Sequence, residues 1–327
     1  MSGVRRIEVQ VEPWTLKAPF VIAGHTFTTV ELLTVSISEG HSRGRGEATG
    51  VYYLDETGQS MRDDVERFRA TVESGIDRDE LRELMPAGGA RNAIDCALWD
   101  LEAKQKGTSV WDLTGIVPRE VTSVMTVGID TPERMAEAAR HLDTDRIKVK
   151  LDGEQPLARI SAIRNARPDV EIIVDVNQGW TFDQLVGLAP DFEKAGIAMI
   201  EQPLPRGGDA ELEDYNPPLP LCADESCLGV AEFDQAARRY QMINIKLDKT
   251  GGLTEALELV KLARARGIGL MVGNMVGTSL AMAPGFVVAQ HCRFVDLDGA
   301  LFLEHDCEHG MTWEHGVLSV PTPDLWG

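Results

Sequence analysis

The sequence predicts an α/β protein in two parts, an α+β unit followed by a barrel of alternating strands and helices. Three observations carry this. Residues 1–115 read as strands and then helices. Beyond them, eight short apolar runs recur at the length of one strand, loop and helix. Six of those runs end in a charged residue.

In the first part, "RRIEVQVEPW" alternates Ile7, Val9 and Val11 with polar neighbours, and "ELLTVSISEG" continues the pattern up to a glycine turn. "SRGRGEATG" reads as a third strand. "MRDDVERFRATVESG" and "ARNAIDCALWDLEAKQKG" then carry apolar residues at helical spacing and stop at glycine, as helix C-termini do.

The barrel strands are "VTSVMTVG", "RIKVK", "EIIVDVN", "AMIEQP", "LCADES", "INIKLD", "GLMVGNM" and "FVDLDG". Taking Thr126, Lys148, Asp175, Glu201, Asp224, Lys246, Gly273 and Asp296 as their ends, the intervals are 22, 27, 26, 23, 22, 27 and 23 residues. Such units build a (β/α) barrel over residues 116–304. A doubly wound sheet also alternates in this way, but eight strands without a G-x-G-x-x-G favour the barrel. The tail, about 305–327, is expected to pack back on the first part.

Composition bounds the function. Of 327 residues, 43% are hydrophobic and 26% charged, an ordinary globular balance. A net charge of −20 argues against a nucleic-acid partner, which needs clustered Lys and Arg. Five scattered cysteines show neither C-x-x-C spacing nor a disulfide framework. The stretch "MSGVRRIEVQ" has no apolar core of a signal peptide, and no 18-residue apolar run occurs. The expectation is a cytoplasmic protein with no membrane contact.

In a parallel barrel the C-terminal strand ends form one rim, and function sits there. In "RIKVKLDG", Lys148 and Lys150 share a strand face about 6–7 Å apart. Two ammonium groups that close are unfavourable unless something nearby needs them. Asp175, Glu201 and Asp224 end the next three strands, Lys246 ends the sixth, and Asp296 and Asp298 end the eighth. A single strand-end carboxylate is most often a loop residue or helix cap, but a whole rim of charge is not. Three carboxylates without His or Cys suit a hard cation, Mg²⁺. Amines on both sides of that ion suit proton removal beside a substrate carboxylate and its return on the other face. To act as a base, Lys150 needs a pKa lowered from about 10.4 towards roughly 7–8. The neighbouring Lys148 charge and the cation push it that way.

This ordered set resembles the enolase superfamily, its muconate-lactonising-enzyme subgroup, and within that the dipeptide epimerases. A lysine base beside Mg²⁺ is an established pairing of that superfamily. The likeness runs from "APFVIAG" through "MPAGGARNAIDCALWDLEAKQKG", "KVKLD", "IIVDVNQGW", "IEQPLP", "CADES" and "NIKLDKTGGLTEAL" to "DLDG". It implies a modified TIM barrel, (β/α)7β, under an α+β enolase-like capping domain of residues 1–115. It implies Lys150 and Lys246 as the two acid/bases, with Lys148 tuning Lys150 and meeting the substrate carboxylate. Asp175, Glu201 and Asp224 would bind one Mg²⁺ per subunit. Asp296 and Asp298 would hold the ammonium of a small dipeptide, and Thr126 would line the site. The resemblance also implies a homo-oligomer.

One departure bears on specificity. Members that prefer Ala-Glu carry an Arg in the loop after "APFVIA", where His25 stands at about that position. A neutral imidazole is a poor substitute for a guanidinium. The implied reaction is epimerisation of L-Ala-D/L-Glu or a related L,L-dipeptide, with the loop of residues 18–28 over its side chain. o-Succinylbenzoate synthesis, N-acylamino acid racemisation and muconate cycloisomerisation leave the two aspartates without an ammonium to meet. A sugar-acid dehydratase expects a His on the seventh strand, which has none. A non-catalytic metal-binding barrel would have lost one of these residues.

Overall fold

The computed structural model describes residues 4–22 and 25–327. Three antiparallel strands open the chain: β1 (Arg6–Ile22), β2 (His25–Glu39) and β3 (Ser42–Thr49). Helices α1 (Gly58–Glu73), α2 (Arg78–Leu84) and α3 (Gly89–Lys106) follow. Helix α3 lies on β3 so closely that a Cβ at Gly44 or Gly46 would come within 2.1 Å of the Ala97 or Ala93 carbonyl. That is why the strand reads "RGRG". The helix divides its faces between two cores. Ala93, Ile94, Ala97 and Leu101 meet the sheet, and Cys96, Trp99 and Ala103 join the barrel core.

Segment 18–28, expected as a loop, is instead the far end of the β1–β2 hairpin. Phe20 pairs with Phe27, Val21 with Thr26 and Ile22 with His25, beyond a register shift between Thr15 and Phe20. Pro19 sits in that shift and has no N–H to give the ladder. Past it the apolar alternation of Phe20 and Ile22 resumes. Residues 23–24 lie outside the described residues.

Short α4 (Val110–Thr114) and β4 (Val121–Thr122) lead into the barrel. Its strands are β5 (Met125–Val127), β6 (Arg146–Lys150), β7 (Glu171–Asp175) and β8 (Ile197–Glu201), then β9 (Leu221–Ala223), β10 (Met242–Ile245), β11 (Gly269–Val272) and β12 (Phe294–Val295). All are parallel and lie in sequence order. Val124 N donates to Val295 O at 2.7 Å, joining the two edges.

Helices α5 (Pro132–His141), α6 (Pro156–Ala166), α7 (Phe182–Lys194), α8 (Val230–Arg239), α9 (Leu247–Thr250), α10 (Leu253–Arg266) and α11 (Ser279–Ala289) make the return connections. The connection after β8 departs from the strand–helix rhythm, with only a 3-10 turn at Ala210–Glu213. Its prolines at 203, 205, 217, 218 and 220 explain why.

The tail splits. Strand β13 (Trp313–Glu314) pairs with β14 (Val317–Leu318), which pairs with β4, while Trp326 Nε1 and Gly327 N reach α3 at Cys96 O (3.0 Å) and Asp100 Oδ1 (2.8 Å). Among the described residues, no helix is long and apolar enough to cross a membrane.

Candidate active site

Strand alternation builds the site. Ile173, Met199, Cys222, Met242, Met271 and Phe294 form an apolar layer inside the barrel. Two residues further along each strand, on the same face, stand Asp175, Glu201, Asp224, Asn244, Gly273 and Asp296. The polar layer is thus the next storey of the apolar one. Ile147 and Val149 point outward to the helices, which turns Lys148 and Lys150 inward together. At Gly273 a Cβ would meet the Asn244 amide at 2.7 Å and Lys246 Cε at 3.0 Å, so the missing side chain leaves room for both.

The charges interlock. Lys148 Nζ lies 2.7 Å from Asp296 Oδ2, 2.8 Å from Glu201 Oε2 and 3.0 Å from Asp175 Oδ2. Lys150 Nζ donates to the same Asp175 oxygen at 2.6 Å and to Asn177 Oδ1 at 3.1 Å. Across the rim, Lys246 Nζ meets Asp224 Oδ2 at 2.6 Å. The repulsion expected between Lys148 and Lys150 is therefore answered by a shared carboxylate.

Burial works to raise the pKa of Asp175, but Lys148, Lys150 and Lys246 outweigh it and hold the group well below the usual range. The same contest at Asp224 is won by Lys246 and Lys249. Burial would lower Lys148 and Lys246, yet the surrounding carboxylates raise both well above the ordinary lysine value. That is opposite to the direction a base needs, so the carboxylates, more than the neighbouring ammonium, set the state of these lysines. Glu201 is pushed up to about 7 by burial and by the Asp175 charge. Asp298 goes up to about 8 through burial and the neighbouring Asp296.

The donor set fits a divalent cation. Asp175, Glu201 and Asp224 are fully buried on three adjacent strands and offer only oxygen. Among the described residues no three acidic, His or Cys groups close on one point; lysine ammoniums meet these carboxylates instead. Those ammoniums stand in for cationic charge. Glu201 Oε2 accepts no well-directed hydrogen bond despite its nearness to Lys148, leaving a ligand lone pair uncommitted.

One cavity gathers Lys148, Lys150, Lys246, Thr126, Asp296 and Asp298. Thr126 N donates to Asp298 Oδ2 at 2.9 Å, while Asp296 is engaged by Lys148. His25 is not in the lining. It is exposed near the hairpin tip, its ring edge-on to Tyr52 at 4.7 Å, and Phe27, two residues on along the same strand face, reaches the cavity instead.

Several contributors escaped the sequence reading. Asn244 Nδ2 holds Glu201 Oε1 at 2.6 Å, and fully buried Lys249 clamps Asp224 Oδ1 at 2.7 Å. Gln202, at φ +34°, accepts from Asp224 N and Ser226 N and fixes the strand end. The inward phase of Asn244, two before Lys246, was the available signal for it. Lys249, three residues after Lys246, follows from the helical turn of α9.

Comparison with known proteins places this geometry. The N-terminal domain of mandelate racemase/muconate lactonizing enzymes matches residues 4–115, and the enolase C-terminal domain-like family matches residues 131–324. The chain belongs to the mandelate racemase/muconate lactonizing enzyme family. It is 41% identical to the L-Ala-D/L-Glu epimerase of Escherichia coli over 97% of this chain and 100% of that protein. An N-acetyl-D-glutamate racemase from Pseudoalteromonas is 44% identical over 77% of this chain and 80% of its own.

Among solved structures, an enolase family member from Agrobacterium tumefaciens with homology to dipeptide epimerases, holding sodium and L-Ala-L-Glu, superposes with a TM-score of 0.96. It is 37% identical and covers 99% of this chain and 100% of its own. A Methylococcus capsulatus dipeptide epimerase complexed with Mg and L-Arg-D-Lys gives a TM-score of 0.92 at 31% identity, covering 99% of both chains.

Proposed function

We propose that this protein is a Mg²⁺-dependent dipeptide epimerase that inverts the α-carbon of the C-terminal residue by two-lysine 1,1-proton transfer. The observation that carries it is the placement of Lys148 and Lys150 on one side of three buried carboxylates and Lys246 on the other. Asp296 and Asp298 line the same cavity. Asp175, Glu201 and Asp224 hold the metal, which when bound supplies Lewis-acid neutralisation of the substrate carboxylate.

The chain does the rest. Lys150 Nζ takes the α-proton on one face, and Lys246 Nζ returns a proton on the opposite face. Lys148 meets the substrate carboxylate and adds positive charge beside Lys150. Asp296 and Asp298 receive the dipeptide ammonium, with Thr126 N fixing Asp298. The barrel of 116–304 carries the chemistry, and residues 1–115 form the cap, joined by the end of the 305–327 tail at Trp326 and Gly327. The same reading makes the protein a cytoplasmic homo-oligomer with no nucleic-acid or membrane partner.

The test is a mixed library of L,L-dipeptides in D₂O with Mg²⁺, followed by mass spectrometry. A one-dalton gain in a subset of dipeptides is expected. Exchange confined to N-acetyl or N-succinyl amino acids would instead assign the site to N-acylamino acid racemisation and remove the meaning given to Asp296 and Asp298.

A further inference from the structure

The cavity is divided by chemistry. Its floor is charged and belongs to the barrel: Lys148, Lys150, Lys246, Asp296 and Asp298. Its roof is apolar and belongs mostly to the hairpin and the loops beside it: Phe20, Ile22, Phe27, Tyr52, Val276 and Phe302. The roof is packed. Phe20 lies 4.6 Å from Phe302, and Phe27 lies 5.6 Å edge-on to Tyr52.

Among the described residues the lining includes no arginine, and its lysines all stand on the floor, each already within 3.0 Å of a carboxylate. The hairpin's Lys17 donates to Leu301 O at 3.0 Å and is outside the lining. Residues 23–24 are Ala and Gly and carry no charge. Among roof hydroxyls, Thr49 Oγ1 already donates to Val276 O at 2.6 Å, and burial pushes the Tyr52 phenol well up, so it brings no charge. A carboxylate side chain directed at this roof would lose its water and meet no arginine, and no lysine beyond those of the floor, among the described lining residues, an unfavourable exchange. An aliphatic or aromatic side chain would bury its area against four rings.

We propose that the residue epimerised is apolar: the substrate is a dipeptide whose C-terminal side chain is aliphatic or aromatic, held by Phe27, Tyr52, Ile22 and Val276. This rests on the epimerase reading and fixes the substrate class within it. It departs from the acidic residue named for the Escherichia coli relative. Phe27 is the specificity-determining position, because it alone of these four stands on the β2 arm, opposite Phe20, and lines the cavity from the hairpin.

The experiment compares epimerisation of L-Ala-L-Leu, L-Ala-L-Phe and L-Ala-L-Glu by the full-length wild-type protein with Mg²⁺, and by Phe27→Arg. Wild type is expected to favour Leu or Phe over Glu by at least about 100-fold in kcat/KM, the scale at which a site rejects a group it leaves unpaired. Phe27→Arg is expected to raise kcat/KM for L-Ala-L-Glu by about 10-fold or more, by giving the carboxylate a bidentate partner. If wild type turns over L-Ala-L-Glu best, the apolar assignment is overturned and the epimerase reading survives. If no dipeptide reacts, while N-acetyl-L-Leu or N-acetyl-L-Glu does, the epimerase reading itself falls. The wild-type comparison decides the matter even if the variant fails to fold.

Discussion

Buried carboxylates in two regions of this molecule meet opposite fates. At the barrel rim, Asp175 and Asp224 are enclosed by lysines, which overcome burial and keep both groups ionised. At the seam between cap and barrel, Glu47, Asp95 and Asp248 are buried as deeply but accept hydrogen bonds from neutral groups. Glu47 takes Thr278 N and Oγ1 (2.7 and 2.8 Å), Asp95 takes Thr254 N (3.0 Å), and Asp248 takes Thr49 N and Asn92 Nδ2 (3.0 and 3.2 Å). Burial lifts them to about 7, 6 and 6. The rim stores negative charge for a cation to use. The seam uses the same residue type as polar glue between two units.

The largest break of this contrast is removal of a rim cation that also does chemistry. Lys150→Met or Lys246→Met should lower epimerisation by about 10²–10⁴-fold, the worth of a general acid/base. Polarimetry reads the loss, and exchange of the α-proton from one stereoisomer should survive in each variant. Unchanged rates in either would refute the two-base assignment.

Lys249 tests the rim without touching the proposed proton path. It is fully buried on Asp224. Lys249→Met leaves a buried carboxylate short of a partner and should cost about 3–5 kcal/mol in urea unfolding. A loss below 1 kcal/mol would mean that Lys246 alone satisfies Asp224.

The seam should show itself in pH. Glu47 rises from 4.5 unfolded to about 7 folded, so its stability contribution is complete below pH 4.5 and is lost as pH climbs through 7. Asp95 and Asp248 act with the same sign. Melting temperature should therefore fall from pH 5 to pH 8, and Glu47→Gln should remove roughly 3 kcal/mol of that dependence. At the rim Asp175 and Asp224 have the reverse sign: lowered, they contribute stability above their unfolded 3.8 and lose it only in stronger acid, whereas Glu201 and Asp298, raised to about 7 and about 8, act with the seam. A wild-type melting temperature flat across pH 5–8 would contradict the seam assignment.

Metal linkage sharpens the rim half. Mg²⁺ at 100 times its Kd should raise stability by about 2.7 kcal/mol, with no such gain in Asp224→Asn. EDTA should abolish epimerisation and added Mg²⁺ restore it. The smallest effect is Thr278→Val, which takes a hydroxyl donor from Glu47 and should cost about 1–3 kcal/mol while leaving epimerisation near wild type.

Much of this was legible in the residues. Period-two alternation says which side chains enter a barrel, so the pairs Ile173/Asp175, Met199/Glu201 and Phe294/Asp296 announce the polar layer above the apolar one. Equal spacing of the eight runs announces the barrel. The hairpin was harder to see. Segment 18–28 read as a loop, and only the pairing of 20–22 with 25–27 makes a hairpin whose β2 arm carries Phe27, and not His25, to the cavity. Asn244 and Lys249 sat in plain view but without a reason to be chosen, since their value lies in partners on other strands.

Strand phase is a local property, fixed by backbone geometry over two or three residues, and the chain spells it out. Which ammonium meets which carboxylate is not local. Lys148 and Asp296 lie 148 positions apart, and Thr126 and Asp298 lie 172 apart. They meet because the sheet curls until its first and last strands touch. The roof over them comes from a hairpin near the start of the chain, held down by the buried acids of the seam. Closure of the ring and docking of the cap are long-range packing events, so the sequence supplied the charges and the folded chain supplied their partners.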